Sequence, residues 1–152
     1  MRLASTEIEA IRKSRVVPLS PEAAFDLFTA RLDTWWPLGR HSIGQEGAAS
    51  VRFEGQVGGR VVEVLDDGAE HSWADVLAWD PPHRFVIAWH PSVEPDAASI
   101  VEVRFSAEGD GTRLELEHRG WEEFGDDDGK RLRDEYDVGW EPVLGGYEAA
   151  AG

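Results

Sequence analysis

Seven tryptophans, two tyrosines and five histidines are the side chains of this 152-residue chain best suited to hold or transform a ligand. Tryptophan joins a large apolar surface to a single hydrogen-bond donor, so an excess of it suits a big core or an aromatic-lined cavity. Trp36, Trp73, Trp89, Phe105, His118, Tyr136 and Trp140 lie on segments whose apolar faces can converge, and these seven are the candidate ligand-binding residues. In such a pocket the rings supply area, while the Tyr136 hydroxyl, His118 and the indole N–H groups orient the ligand. The competing reading is that the same rings only fill the space between two layers. Trp73 carries an added difficulty, because strict alternation sets Asp75 on its face and Ala74, Val76 and Ala78 on the other. Trp35 and Trp121 read as framework anchors.

Other chemistries find less support. His41, His71, His83, His90 and His118 form no i, i+4 pair and no His-Glu-x-x-His pattern, and no metal site is assigned. His83 follows two prolines and reads as a solvated turn residue. Ser42, Ser72 and Ser99 sit in no Gly-x-Ser-x-Gly elbow. Gly55, Gly58 and Gly59 lead into a strand, whereas phosphate loops lead into a helix N-terminus. General acid–base work by His118 with Tyr136 or Asp75 is the remaining enzymatic option. No catalytic residue and no cofactor is assigned.

The elements that must position these residues follow from hydrophobic periodicity. A first strand spans residues 8–17. Ser20-Pro21-Glu22 is an N-cap, a first-turn proline and an acid, and Phe25, Phe28 and Leu32 continue at helical spacing, so a helix is predicted over 21–32. A second short helical segment runs to Trp35-Trp36-Pro37, and residues 38–50 form a loop. Six strands follow at intervals of about ten residues, a spacing that marks an antiparallel sheet. In the later ones Val101, Val103 and Phe105 share a face, as do Leu114, Leu116 and His118. Leu132, Tyr136, Trp140, Val143, Leu144 and Tyr147 then recur at spacings of three and four, one apolar face of a long helix. Pro142 inside that run predicts a kink or a split, and Asp126-Asp127-Asp128 suits the helix N-terminus. The predicted class is α+β: a curved sheet wrapped round one long helix, with two short helices between strands 1 and 2.

Composition narrows the partners. The length fits one domain, residues 1–152 with a core of about 8–148, able to bury roughly 70% of its unfolded surface. The absence of cysteine excludes disulfides, thiolate zinc sites and cysteine nucleophiles. A net charge of -15, concentrated after residue 60, opposes binding to nucleic acid or an anionic membrane. No apolar run approaches the ~20 residues of a membrane span, and the first residues do not lead into a secretion signal. The expected location is the cytoplasm. An excess of arginine over lysine points to a GC-rich bacterial genome.

Several short motifs occur in a recognisable order: Trp35-Trp36-Pro37, Gly58-Gly59, Trp79-Asp80-Pro81-Pro82, Trp89, Gly111-Thr112-Arg113, His118-Arg119-Gly120-Trp121 and Gly139-Trp140. Together they resemble the bacterial proteins named after the activator of heat-shock-protein-90 ATPase, within the START-like (SRPBCC) superfamily. The resemblance covers roughly residues 10–148. It implies the helix-grip (Bet v-like) fold, a seven-stranded antiparallel sheet around a long C-terminal helix. It also implies a ligand: superfamily members bind lipids, polyketides, hormones or other apolar small molecules between sheet and helix. Some are cyclases, aromatases or hydratases on the same pocket, and related proteins pair as homodimers. The eukaryotic activator grips its chaperone with a separate domain for which 152 residues leave no room, so a chaperone-regulator role ranks below small-molecule binding.

Overall fold

A computed structural model describes residues 8–36, 48–90 and 98–152. His41 and Ser42, named above, lie outside them. Strand β1 (Ile11–Val17) is followed by helix α1 (Pro21–Phe28) and a 3-10 turn at Leu32–Thr34. Then come β2 (Ala48–Phe53), β3 (Arg60–Leu65), β4 (Glu70–Asp80), β5 (Arg84–Trp89), β6 (Ser99–Glu108) and β7 (Gly111–Arg119). A second 3-10 turn, Trp121–Phe124, leads into the long helix α2 (Asp126–Ala151). The strands form a single antiparallel sheet in the order β1-β7-β6-β5-β4-β3-β2, curled around α2 in the helix-grip arrangement. No helix among the described residues is long and apolar enough to cross a membrane.

The predicted first helix begins where its cap places it, with the Ser20 hydroxyl accepting from Ala23 N at 3.2 Å. It ends four residues early. Thr29 Oγ1 donates to the Phe25 carbonyl at 2.8 Å alongside the Thr29 amide, and a side chain that takes a helical carbonyl competes with continued winding. The chain tightens into the 3-10 turn, which still buries Leu32.

The last helix is neither split nor ended by Pro142 and runs unbroken from Asp126 to Ala151. Pro142 is exposed, as is Val138 four residues earlier, so the carbonyl that loses its donor lies on the solvated side. The opposite side buries Trp140, Val143, Leu144 and Tyr147, with Leu132 and Tyr136 partly covered. Tyr147 Oη donates to the Ala24 carbonyl of α1 at 2.9 Å. Along the sheet edge, Lys13 meets Asp137 and Glu141 while Arg15 meets Glu141 and Glu148, so β1 holds α2 by ion pairs as well as by apolar contact.

Strand β4 departs from simple alternation twice. Val61 pairs with Ala74 but Val62 with Ser72, so Trp73 is an extra residue; Val76 pairs with Ile87 but Ala78 with Val86, so Leu77 is another. Each bulge shifts the side-chain pattern by one position. Trp73, Ala74, Val76 and Trp79 thereby all join the core, and Asp75 faces away, contrary to the alternation expected from sequence.

Candidate functional site

Two aromatic clusters fill the space between sheet and helices. Under α1, Phe25, Phe28, Phe53, Trp79, Phe85 and Phe105 meet with centroids about 5–6 Å apart. Phe105 belongs here, away from the other predicted site residues, and its neighbours are ordinary core phenylalanines. Gly55 makes room for this cluster, since a Cβ there would lie 2.6 Å from the Trp79 ring.

The second cluster gathers the other six predicted residues. Trp36 follows the first 3-10 turn, Trp73 is the bulge of β4, Trp89 ends β5, and Trp140 comes from α2. The Trp36 ring stands 5.0 Å from Trp73, 6.1 Å from Trp89 and 6.3 Å from Trp140, so one indole touches the other three. His118 lies against Tyr136 and Trp140 at 5.1 and 5.9 Å, on a base formed by Trp121. Trp121 and Trp35 are the anchors expected of them, donating to the His118 and Leu27 carbonyls respectively.

Hydrogen bonds tie the rings to the frame. Trp140 Nε1 donates to His118 Nδ1 at 3.0 Å, which assigns the imidazole proton to Nε2, 2.7 Å from Ser99 Oγ. Ser99 Oγ in turn points to the Trp89 carbonyl. His118 is fully buried, and burial drives its pKa down to about 3, so the ring is neutral. Trp89 Nε1 donates to Tyr136 Oη at 3.1 Å. Burial raises the Tyr136 pKa further than that bond lowers it, and the phenol keeps its proton. Trp73 Nε1 donates to the buried carboxylate of Glu63 at 3.2 Å.

Ser99 and Glu63 are site neighbours that sequence reasoning did not select. A lone glutamate in the apolar run Val61-Val62-Glu63-Val64 was the available signal for one. Ser99 had none, because its role comes from lying opposite Trp89 across the β5–β6 ladder.

This arrangement does not favour proton transfer. Both nitrogens of His118 are engaged within the protein, and Asp75 is on the far face of the sheet, with Oδ2 2.9 Å from His90 Nε2. Among the described residues no three His, Cys, Asp or Glu side chains come together to hold a metal. What the cluster offers chemically is indole faces, a phenol and an indole donor.

Comparison with known proteins places this geometry. The sequence model of the family described as activator of Hsp90 ATPase homolog 1-like protein matches residues 18–149. No curated protein sequence matches the chain. Among solved structures, CalC from Micromonospora echinospora, a self-sacrificing resistance protein, is 28% identical over 93% of each chain with a TM-score of 0.72. An anthrahydroquino-γ-pyrone synthase, Txn09, is 34% identical over 91% of this chain and 88% of its own, with a TM-score of 0.57. The Aha1 dimer of Colwellia psychrerythraea shares the fold at a TM-score of 0.68, over 95% of this chain and 96% of that one, with 15% identity.

Proposed function

The chain belongs to the family of activator of Hsp90 ATPase homolog 1-like proteins, and from that premise we propose that it binds an apolar, aromatic small molecule between the curled sheet and α2. The observation that carries this reading is the convergence of Trp36, Trp73, Trp89 and Trp140, four indoles from four separate elements, beside the half-buried Tyr136. A core needs apolar volume, which leucine and valine supply with no polar atom to satisfy. A box of indoles supplies in addition flat faces for stacking and N–H groups for orientation. One relative above 25% identity supports the same reading, being named as a synthase of an anthrahydroquino-γ-pyrone.

Binding fits the site better than turnover. His118 is held neutral with both nitrogens occupied, and Tyr136 is held protonated, so neither is poised to exchange a proton near pH 7.

Native mass spectrometry of the purified protein tests the proposal and also reads whether the chain pairs. The expected result is an adduct, carried from the cell or acquired from a panel of planar aromatics, that leaves on denaturation and quenches tryptophan emission. The bare mass throughout, with unchanged emission, would overturn it.

A further inference from the structure

Of the buried side-chain nitrogen and oxygen atoms among the described residues, one lacks a hydrogen-bond partner, and it is Trp36 Nε1. Its neighbours in the box are all tied: Trp73 to Glu63, Trp89 to Tyr136, Trp140 to His118. Native proteins rarely leave a buried donor unpaired, since doing so forfeits the hydrogen bond it made to water. Here the orphan belongs to the indole that touches all three others, and the ring is 8% exposed.

We propose that Trp36 is the specificity-determining donor of this site, its indole N–H hydrogen-bonding the carbonyl oxygen of a neutral planar aromatic ketone or quinone. The inference rests on the binding reading above and names the class of ligand. Three features lead to it. The box has donors to spare, because Tyr136 Oη accepts from Trp89 and keeps its own proton, while Trp36 Nε1 has no acceptor. A ligand that satisfies them must therefore bring acceptors. The walls are indole faces, which stack on flat rings and give an acyl chain no comparable match. Finally, none of the six ring residues carries a positive charge, since both nitrogens of His118 are committed and the ring is neutral, so a fatty-acid carboxylate would meet no counter-charge among them, which leaves a neutral carbonyl.

The same orphan explains how a ligand enters a box filled by its own rings. Rotating Trp73, Trp89 or Trp140 breaks a hydrogen bond to the frame, whereas rotating Trp36 breaks none. Trp36 is the ring that gives way, and the carbonyl then supplies the acceptor that its N–H lacks.

Fluorenone and fluorene test this, since the two planar tricycles differ by a carbonyl in place of a methylene. Equilibrium dialysis against the wild-type protein is expected to show fluorenone bound about fivefold or more tighter, the size of one neutral hydrogen bond. In Trp36→Phe both probes lose affinity through the smaller ring, but fluorenone loses more, and the ratio between the two falls to near one. An independent reading needs no variant to fold well: one indole N–H resonance of the wild-type protein moves downfield with fluorenone and not with fluorene. Equal affinity for the two probes, or an equal loss of both in Trp36→Phe, overturns the role of the donor and leaves the binding reading standing. Binding of neither probe overturns both.

Discussion

His118 gives the sharpest quantitative test of the site's architecture. Its imidazole is fully buried, accepts from Trp140 at Nδ1, donates from Nε2 to Ser99, and has its pKa lowered from 6.5 to about 3 by burial. In the unfolded chain the same ring takes up a proton near pH 6.5. Between those two values the unfolded state binds more protons than the folded one, so stability falls as the pH falls, from about 6.5 down to about 3. Each pKa unit is worth about 1.4 kcal/mol, and the 1.5 units between 6.5 and pH 5 therefore remove about 2 kcal/mol relative to pH 7. Carboxylates also titrate toward the acid end, so the quantity to measure is a difference of differences. His118→Gln keeps an oxygen to accept from Trp140 and an amide to donate to Ser99, and it does not titrate. Urea unfolding of both proteins at pH 7.0, 6.0 and 5.0 is expected to show the wild-type losing about 2 kcal/mol more than the variant across that range. The imidazole protons of the folded wild-type protein should meanwhile show no titration above pH 4. Parallel pH profiles, or an imidazole midpoint near 6, would refute the account of a neutral, fully committed ring and would restore His118 as a proton donor.

Three further outcomes test the frame around the box. In α2, Gly139→Ala and Gly145→Ala, where a methyl meets nothing within 4 Å, should each stabilise by up to about 1 kcal/mol through helix propensity. Gly129→Ala should destabilise despite the same helical gain, because its methyl would run into the Trp121 carbonyl oxygen and lie 2.6 Å from Ile8 Cδ1; thermal melts of the three variants compare them directly. Tyr136→Phe strands the Trp89 N–H and should cost about 1 kcal/mol in urea unfolding, with no cost if water replaces the phenol freely. Glu141→Gln removes partners 2.7 and 2.8 Å from Lys13 and Arg15, but these groups are partly exposed, so the loss should stay below about 1 kcal/mol and vanish in 1 M salt.

How far the sequence could carry these conclusions differs from element to element. Strands β6 and β7 were legible because they keep a strict period of two: Val101, Val103 and Phe105 lie on the inner face, and so do Leu114, Leu116 and His118. The helix α2 was legible from its six apolar residues at spacings of three and four, even with Pro142 among them. Pro142 did not split the helix, because the carbonyl that loses its donor is on the wet side. Helix α1 was overextended because Leu32 does belong to the core, reached through a 3-10 turn instead of a continued helix.

The candidate site was legible in composition and not in arrangement, and β4 shows why. A period-two reading of residues 73–79 gives Trp73, Asp75, Leu77 and Trp79 one face, which would place a carboxylate among indoles. The two bulges break that set apart, turning Asp75 toward His90, leaving Leu77 half exposed and keeping both tryptophans inside. A bulge is defined by the pairing with the neighbouring strand, one of whose residues faces two on the bulged strand, so no pattern within one strand reveals it. The same holds for the division of aromatics into two clusters: Phe105 and His118 both face inward, but Phe105 pairs opposite Leu114 while His118 pairs opposite Val101, at the end of the strands that Trp140 covers. Register therefore decides which of the two aromatic clusters an inward-facing ring joins. It also leaves Trp36 as the ring whose donor goes unpaired, since Glu63, Tyr136 and His118 each lie opposite a different indole.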